Sequence, residues 1–368
     1  MADLLAPLKF KTLRDYSLTG PENAHAVEAG LANAEWYQSP VERKLLKDLM
    51  KRSDAPALRD TAIWLGLLVG FGAAGVALWG TWWAVPVFIV YGVLYGSAAD
   101  SRWHEMGHGT AFKTRWMNDV VYEFASFLMM RNSVVWRWSH ARHHTDTIIV
   151  GRDPELGLMR PPQLILLALN MIGVTSVPLS LMALWRHALG GLAPDEAEFV
   201  PASERPRACL VARIHMAVYF GVLVACVATG SILPAMLIGL PRAYGVWFLV
   251  YVGLPQHAGL AEDVLDHRLN SRTVLMSRPI RFIYSNMNYH VEHHMYPMVP
   301  YYALPRLHEA VKADCPAPTP GLWAAWREIL PTLFRQLRDP TYYVVKQLPP
   351  GAGRDLAEPA TGMQLERP

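Results

Sequence analysis

Apolar and polar stretches alternate along this chain in a pattern that predicts membrane hairpins. Residues 61–80 and about 83–99 are uncharged and almost wholly apolar, separated only by a short turn near Thr81. A helix needs roughly 20 such residues to cross the hydrocarbon layer, so the two stretches predict an antiparallel pair of spans. Residues 208–228 and about 232–254 predict a second pair. It carries Arg213 and His215 near its start, and Pro241 and Arg242 in the returning arm, whose helix is expected to begin near Arg242. Between the pairs, residues 161–185 are apolar enough to span, but Pro178 breaks the stretch and Asn170 places a polar group in it.

The polar stretches complete the outline. Residues 1–60 predict a soluble arm with short helices, one over residues 39–51 with Ser39 as its N-cap and Pro40 behind it. Residues 100–160 are polar, with Trp103, Trp116, Trp136 and Trp138 suited to the boundary between headgroups and water. Residues 190–207 predict a polar loop, residues 321–337 one amphipathic helix, and residues 349–368 a disordered tail. The expected fold class is an all-α integral membrane protein with about four transmembrane helices in two hairpins plus interfacial helices. Its expected divisions are an arm (1–60), a membrane domain (61–310) and a C-terminal helix with its tail (311–368).

Composition agrees, with 52% hydrophobic residues against 18% charged. The net charge of +3 comes from widely spread Lys and Arg, and no basic block is interleaved with aromatics, so nucleic-acid binding gets no support. Cys209, Cys226 and Cys315 are far apart and form neither a disulfide framework nor a CxxC metal site, which fits a reducing cytoplasm. No signal-peptide pattern opens the chain, and the nine Lys and Arg of residues 1–60 place that arm on the cytoplasmic side.

Histidines change the picture most. His290, His293 and His294 lie in one helical turn, and the i, i+3, i+4 offsets direct their rings to one side, toward a common point. His140, His143 and His144 repeat the spacing, and His104 and His108 add a pair at i, i+4. Eight of 14 histidines therefore fall in three short clusters. Without a ligand, adjacent buried imidazoles would each need a hydrogen-bond partner and would repel one another if protonated. A metal removes both problems. Neutral imidazole suits iron, zinc, copper or nickel, whereas calcium and magnesium prefer oxygen. His257, in P-Q-H-A-G after the last apolar stretch, is a ninth candidate. Two ions with four or five ligands each would use all nine and keep a position open. His25, His187, His215, His267 and His308 lack partners at metal spacing and are expected to be structural or exposed.

One site for all three clusters requires an even number of crossings between the second and the third. Residues 161–185 are therefore expected to form an interfacial or re-entrant helix pair. Two other motifs compete less well. His104-Glu105-Met106-Gly107-His108 also satisfies the H-E-x-x-H signature of zinc proteases, but one zinc needs only three protein ligands and six clustered histidines would stay unexplained. Gly70-Phe71-Gly72-Ala73-Ala74-Gly75 matches G-x-G-x-x-G, yet it lies inside an apolar span with no strand before it, so close helix packing is the better account.

H-E-M-G-H, H-A-R-H-H and H-V-E-H-H, in this order over residues 60–310, resemble the three histidine boxes of the membrane fatty acid desaturase and hydroxylase superfamily. The wording N-Y-H-V-E-H-H-M-Y-P is most similar to its acyl-lipid desaturase branch. The resemblance implies a non-haem di-iron centre on the cytoplasmic face of a four-helix membrane stalk, with both termini cytoplasmic. Its iron ligands would be His104, His108, His140, His143, His144, His257, His290, His293 and His294. In some relatives the additional histidine stands in an N-H-x-x-x-H-like pattern, whereas here Gln256 precedes it.

The expected function is oxygen-dependent desaturation of a fatty acyl chain. Hydroxylation of a lipid or other hydrophobic substrate on the same scaffold is the alternative, and a zinc protease or a metal transporter is remote. Breaking an unactivated C–H bond is beyond side-chain acids and bases, so a redox metal with an open position for dioxygen is required. Electrons must come from a separate reductase or ferredoxin-type protein, because the sequence has no CxxC pair, no H-P-G-G haem motif and no credible dinucleotide loop. Glu105, Asp146, Asp153, Glu155, Glu262, Asp263 and Glu292 lie in or beside the boxes and could accept the second N–H of the ligand rings.

Overall fold

The computed structural model describes residues 14–353 of the 368. Among them the chain is helical, and its β pairing consists of two isolated bridges, Thr273 with Tyr289 and Val274 with Thr319. In order the helices are α1 (Pro21–Glu28), α2 (Arg43–Leu49), α3 (Asp54–Ala77), α4 (Ala84–Gly96), α5 (Ala98–Gly107), α6 (Arg115–Leu128), α7 (Ser133–Thr145), α8 (Leu164–Asn170) and α9 (Ser176–Ala188). Then come α10 (Pro194–Ala197), α11 (Arg205–Thr229), α12 (Leu233–Leu237), α13 (Pro241–Gly253), α14 (His267–Asn270), α15 (Arg278–Ile283), α16 (His290–Met295), α17 (Leu304–Val311) and α18 (Leu322–Gln336).

Four helical runs are long and apolar enough to cross a membrane: Arg43–Ala77, Ala84–Gly107, Ala202–Thr229 and Leu233–Gln256. Their outward surfaces stay apolar, as Ile214, Phe220, Leu223 and Val227 show on α11. An exterior that is apolar over most of its length, as beyond the exposed Arg213 of α11, suits lipid. The stretch expected to be a helix pair is one, since α8 and α9 meet at Gly173 and neither reaches span length. Two runs of span length, Ala202–Thr229 and Leu233–Gln256, thus lie between the second and third histidine clusters.

Glycines set how closely the spans pack. On α3 a Cβ at Gly72 or Gly75 would stand 3.1 Å from the Tyr91 ring or 2.8 Å from the Phe88 ring, so the G-x-G-x-x-G stretch serves helix packing. The approach of α4 to α13 is tighter still. A Cβ on Gly245 would lie 1.8 Å from the Gly92 carbonyl oxygen. At the junction of α4 and α5, the Ser97 hydroxyl donates to the Gly245 carbonyl at 2.7 Å and accepts from the Leu249 amide at 2.8 Å. It therefore inserts into the i to i+4 ladder of α13, a local device for bending a helix. The same contact locks α5 and its histidines to the helix that leads to His257.

Several boundaries differ from the expected ones. Ser39 does not cap a helix: it is buried, its hydroxyl donates to Asp314 at 2.6 Å, and α2 begins only at Arg43. The returning arm of the second apolar pair is split, with α12 ending at Leu237 and α13 starting at Pro241, beside Arg242. The predicted amphipathic helix is α18 to within a residue at each end. Of the tail expected to be disordered, Gly353 is tied down, its amide donating to Asp314 and its carbonyl accepting from Arg268. Residues 354–368 lie outside the described residues.

Candidate metal centre

Each histidine cluster is held by a helix whose ends are fixed from outside. His104 is on α5 and His108 is its C-cap. The buried Arg102 on the same helix donates to the carbonyls of Phe282 and Ile283, which end α15. His140, His143 and His144 are on α7, which starts where the Asn132 side chain accepts from the Val134 and Val135 amides. His290, His293 and His294 are on α16, a helix of six residues that would not form alone. Its Glu292 accepts from His308 Nδ1 and from Thr273 Oγ1, both at 2.5 Å, and its last carbonyl, on Met295, accepts from Gln38.

All nine predicted histidines come together in two groups. His104, His108, His140, His144 and His293 form one, and His143, His257, His290 and His294 form the other, the ligand atoms within each lying within 4.8 Å of one another. The expectation that one helical turn aims three rings at one point is corrected here. In each H-x-x-H-H motif the first and last histidines share a group and the middle one crosses to the other. The i, i+4 pair lies nearly in line along the helix, and i+3 is turned away from that line.

The outer ring nitrogens fix what the inner ones present. His257 Nδ1 stands 2.8 Å from the Asn270 carbonyl, which can only accept, so Nδ1 carries the proton and Nε2 offers a lone pair. Thr147 spends its hydroxyl hydrogen on the His143 carbonyl and so accepts from His294 Nδ1 at 3.2 Å. Asp153 takes His143 Nδ1 at 2.9 Å, and Glu155 takes His140 Nδ1 at 3.1 Å. The inner nitrogens then face one another. His290 Nε2 lies 2.9 Å from His257 Nε2 and 3.0 Å from His294 Nε2, and His108 Nε2 lies 3.0 Å from His140 Nε2.

Lone pairs aimed at each other at such distances repel unless a cation sits among them, so the donor set fits a metal ion in each group. Two nitrogens at right angles on an ion with bonds of about 2.1 Å stand about 3.0 Å apart, which is the spacing found. Burial, and behind it the neighbouring imidazoles, pushes His108, His144, His257, His290, His293 and His294 well below the ordinary histidine pKa. Neutral rings are what ligation needs. For His143 burial opposes the charge, but the Asp153 carboxylate outweighs it and raises the pKa. For Glu155 burial works against ionisation, and His140 overcomes it, lowering the pKa to about 2.

Of the seven carboxylates, Asp153 and Glu155 meet ligand rings. Glu105 comes close, its Oε1 3.9 Å from His293 Nδ1, while its other oxygen accepts from the Tyr301 amide. The remaining four are engaged elsewhere: Asp146 with Arg142 and Arg152, Glu262 with Arg160, Asp263 with Arg14, and Glu292 with His308. The two histidines of H-E-x-x-H share their group with His140, His144 and His293, which the protease reading leaves unexplained. Asn270 and Thr147 escaped sequence reasoning, since a carbonyl and a lone hydroxyl carry no motif. His267, expected to be structural or exposed, is buried, stacked on Trp36 at 4.2 Å and 4.9 Å from the His294 ring centre. His187, His215 and His308 are buried and His25 is exposed.

A cavity of about 300 Å³ reaches His104, His140, His143, His257 and His290, and also Trp103, Val246, Leu249 and Tyr284. That volume is at the lower end of small-molecule sites.

A family model described as fatty acid desaturase matches residues 80–326, well over half of the chain. The chain is 26% identical over 286 residues to the chloroplastic omega-3 fatty acid desaturase of Ricinus communis, covering 71% of this chain and 59% of that protein. It is 26% identical over 261 residues to an acyl-lipid (8-3)-desaturase of Thraustochytrium sp, covering 62% and 58%. A chloroplastic sn-2 acyl-lipid omega-3 desaturase (ferredoxin) of Helianthus annuus is 25% identical over 284 residues, covering 71% and 62%. Each alignment spans less than two thirds of the relative's length. With the three boxes in sequence, their histidines gathered into two groups, and the match running through all of them, the chain belongs to the fatty acid desaturase family.

Proposed function

We propose that this protein is a membrane-bound desaturase that introduces a double bond into an acyl chain. The convergence of nine imidazoles on two centres beside a cavity carries this reading. His104, His108, His140, His144 and His293 would hold one iron, and His143, His257, His290 and His294 the other. When bound, the two irons supply the oxidising chemistry that removes two hydrogens from the chain while dioxygen, two electrons and two protons become two waters. A separate ferredoxin-type or reductase protein delivers the electrons, as the name of the Helianthus relative, a desaturase (ferredoxin), suggests for that enzyme.

The chain's own residues hold the rings. Asp153, Glu155, Thr147 and the Asn270 carbonyl fix the outer nitrogens of His143, His140, His294 and His257, so the inner nitrogens are presented without rearrangement. Val246, Leu249 and Val250 give the cavity an apolar wall along which a carbon chain lies. The four span-length runs would cross the bilayer as two hairpins. The basic arm would stay on the cytoplasmic side with the histidines, where a soluble donor can reach them.

The test is expression in a host with a ferredoxin reductase system, metal analysis of the purified protein, and mass spectrometry of extracted lipids. About two irons per chain and a new unsaturated product that requires oxygen are expected. Zinc with no oxygen consumption would overturn the reading.

A further inference from the structure

Two residues interrupt otherwise apolar sequence, Asn170 and Arg242, and both line the same cavity as the histidines. Arg242 is only 6% exposed, and its Nε and Nη1 have no hydrogen-bond partner. The other charged groups of the wall are matched: Asp100 with Arg131, Glu155 with His140, and Glu262 with Arg160. Arg131 is also held over the faces of Trp103 and Trp136. Among the described residues Arg242 has no such direct partner: Asp100 is within electrostatic reach of it but is paired with Arg131, so two guanidiniums share one carboxylate and the group keeps one net positive charge. A guanidinium only partly balanced at membrane depth is disfavoured, and such groups often mark substrate or ion sites.

Further polar atoms without partners line this cavity. The Asn170 side-chain oxygen at the end of α8, the Ser176 hydroxyl at the start of α9 and the Tyr284 hydroxyl are all buried and unbonded. A cavity shaped only for hydrocarbon would have no use for them. For two of them the placement is directional: the turn between Asn170 and Ser176 packs on Ala243, next to Arg242, whereas the Tyr284 hydroxyl lies by Gly253 at the other end of α13. Arg242, Val246, Leu249, Val250 and Gly253 form one stripe of α13, from its first turn to its last, and His257 follows. Eleven residues of helix separate Arg242 from Gly253, roughly 16 Å. Along α13 the cavity therefore has a cationic, polar end, an apolar middle and a histidine end.

We propose that the substrate is an acid whose free carboxylate pairs with Arg242 while its carbon chain runs along α13 to the histidines. This deepens the desaturase reading, on which it rests for treating the cavity as the substrate site. An esterified acyl chain has no charge to offer Arg242, so the site favours the free acid over its ester.

A dodecanoate bearing a photoreactive diazirine at its methyl end tests this on the full-length, iron-loaded protein in nanodiscs, with labelled peptides mapped by mass spectrometry. Labelling is expected near Met287 and His290. Unlabelled dodecanoate should compete about tenfold or more better than methyl dodecanoate, the difference a buried charged contact brings. Arg242→Leu should lower the labelling about tenfold, and Arg242→Lys should restore much of it. Equal competition by acid and ester in the unaltered protein, which needs no variant to fold, would overturn the proposal. Iron measured in the same samples separates the two readings. Iron and desaturation without acid preference sinks this proposal alone, whereas acid preference without iron sinks the desaturase reading alone.

Discussion

His293 Nε2 lies 2.7 Å from His104 Nε2 on a different helix, while His294, the next residue along its own, belongs to the other group. The crossing makes each H-x-x-H-H motif a bridge between two centres, and it gives single substitutions distinct outcomes. His293→Ala removes one of five nitrogens from the first group and leaves the four of the second intact. Iron should fall from about two toward about one per chain, with product formation lost. Metal analysis on purified variant that retains both irons, or that still forms product, would sink the ligand assignment.

Asp153 and Asp146 stand in the same loop but do different work, and substitution separates them. Asp153 accepts from His143 Nδ1, whereas Asp146 pairs with Arg142 and Arg152 and touches no ligand ring. Asp153→Asn should weaken metal retention about 10- to 100-fold, the usual effect of losing the partner behind a ligand. Asp146→Asn should instead lower thermal stability and leave iron retention unchanged. Iron remaining after timed exposure to a chelator discriminates them, and equal retention in both variants would refute the distinction.

The gathering of the nine histidines was legible because imidazoles repeated at i, i+3 and i+4 have few other uses, and parity led to the expectation of a helix pair over residues 161–185, which α8 and α9 form. The split of each motif between two groups was not legible. It depends on how α5, α7 and α16 face one another, which the Ser97 insertion into α13 and the Arg102 contacts with α15 fix across 148 and 180 residues of chain. Asn270 contributes a carbonyl that every residue possesses, so composition could not single it out. Asn170 and Arg242 were visible as blemishes in apolar stretches, and only the fold shows that they share a cavity.

Glu292 sits within H-V-E-H-H, where sequence alone makes it a natural partner for a ligand ring, yet it binds His308 and Thr273. Its work is to brace α16 from behind. Glu292→Gln should destabilise the protein by about 1–3 kcal/mol, through a buried bond lost or a donor left unpaired. Iron content at low temperature should remain near that of the parent protein. Thermal unfolding followed alongside iron content reads both. Loss of iron without loss of thermal stability would show that Glu292 acts on the metal after all.

The contact of Gly92 with Gly245 links span packing to the metal centre, because α4 leads through α5 to His104 and His108, and α13 leads to His257. Gly245→Ala places a methyl 1.8 Å from the Gly92 carbonyl oxygen, a backbone atom that cannot rotate away. The helices must part, and overpacking of this kind costs about 3 kcal/mol or more. Parting them also moves His104 away from His257, so iron per chain should fall together with thermal stability. Gly221→Ala on α11, where nothing lies within 4 Å of the new methyl, is the matched control. Alanine there should be neutral or stabilising by up to about 1 kcal/mol, through its higher helix propensity. A Gly245→Ala protein with parental thermal stability and iron content would refute the close approach of α4 and α13.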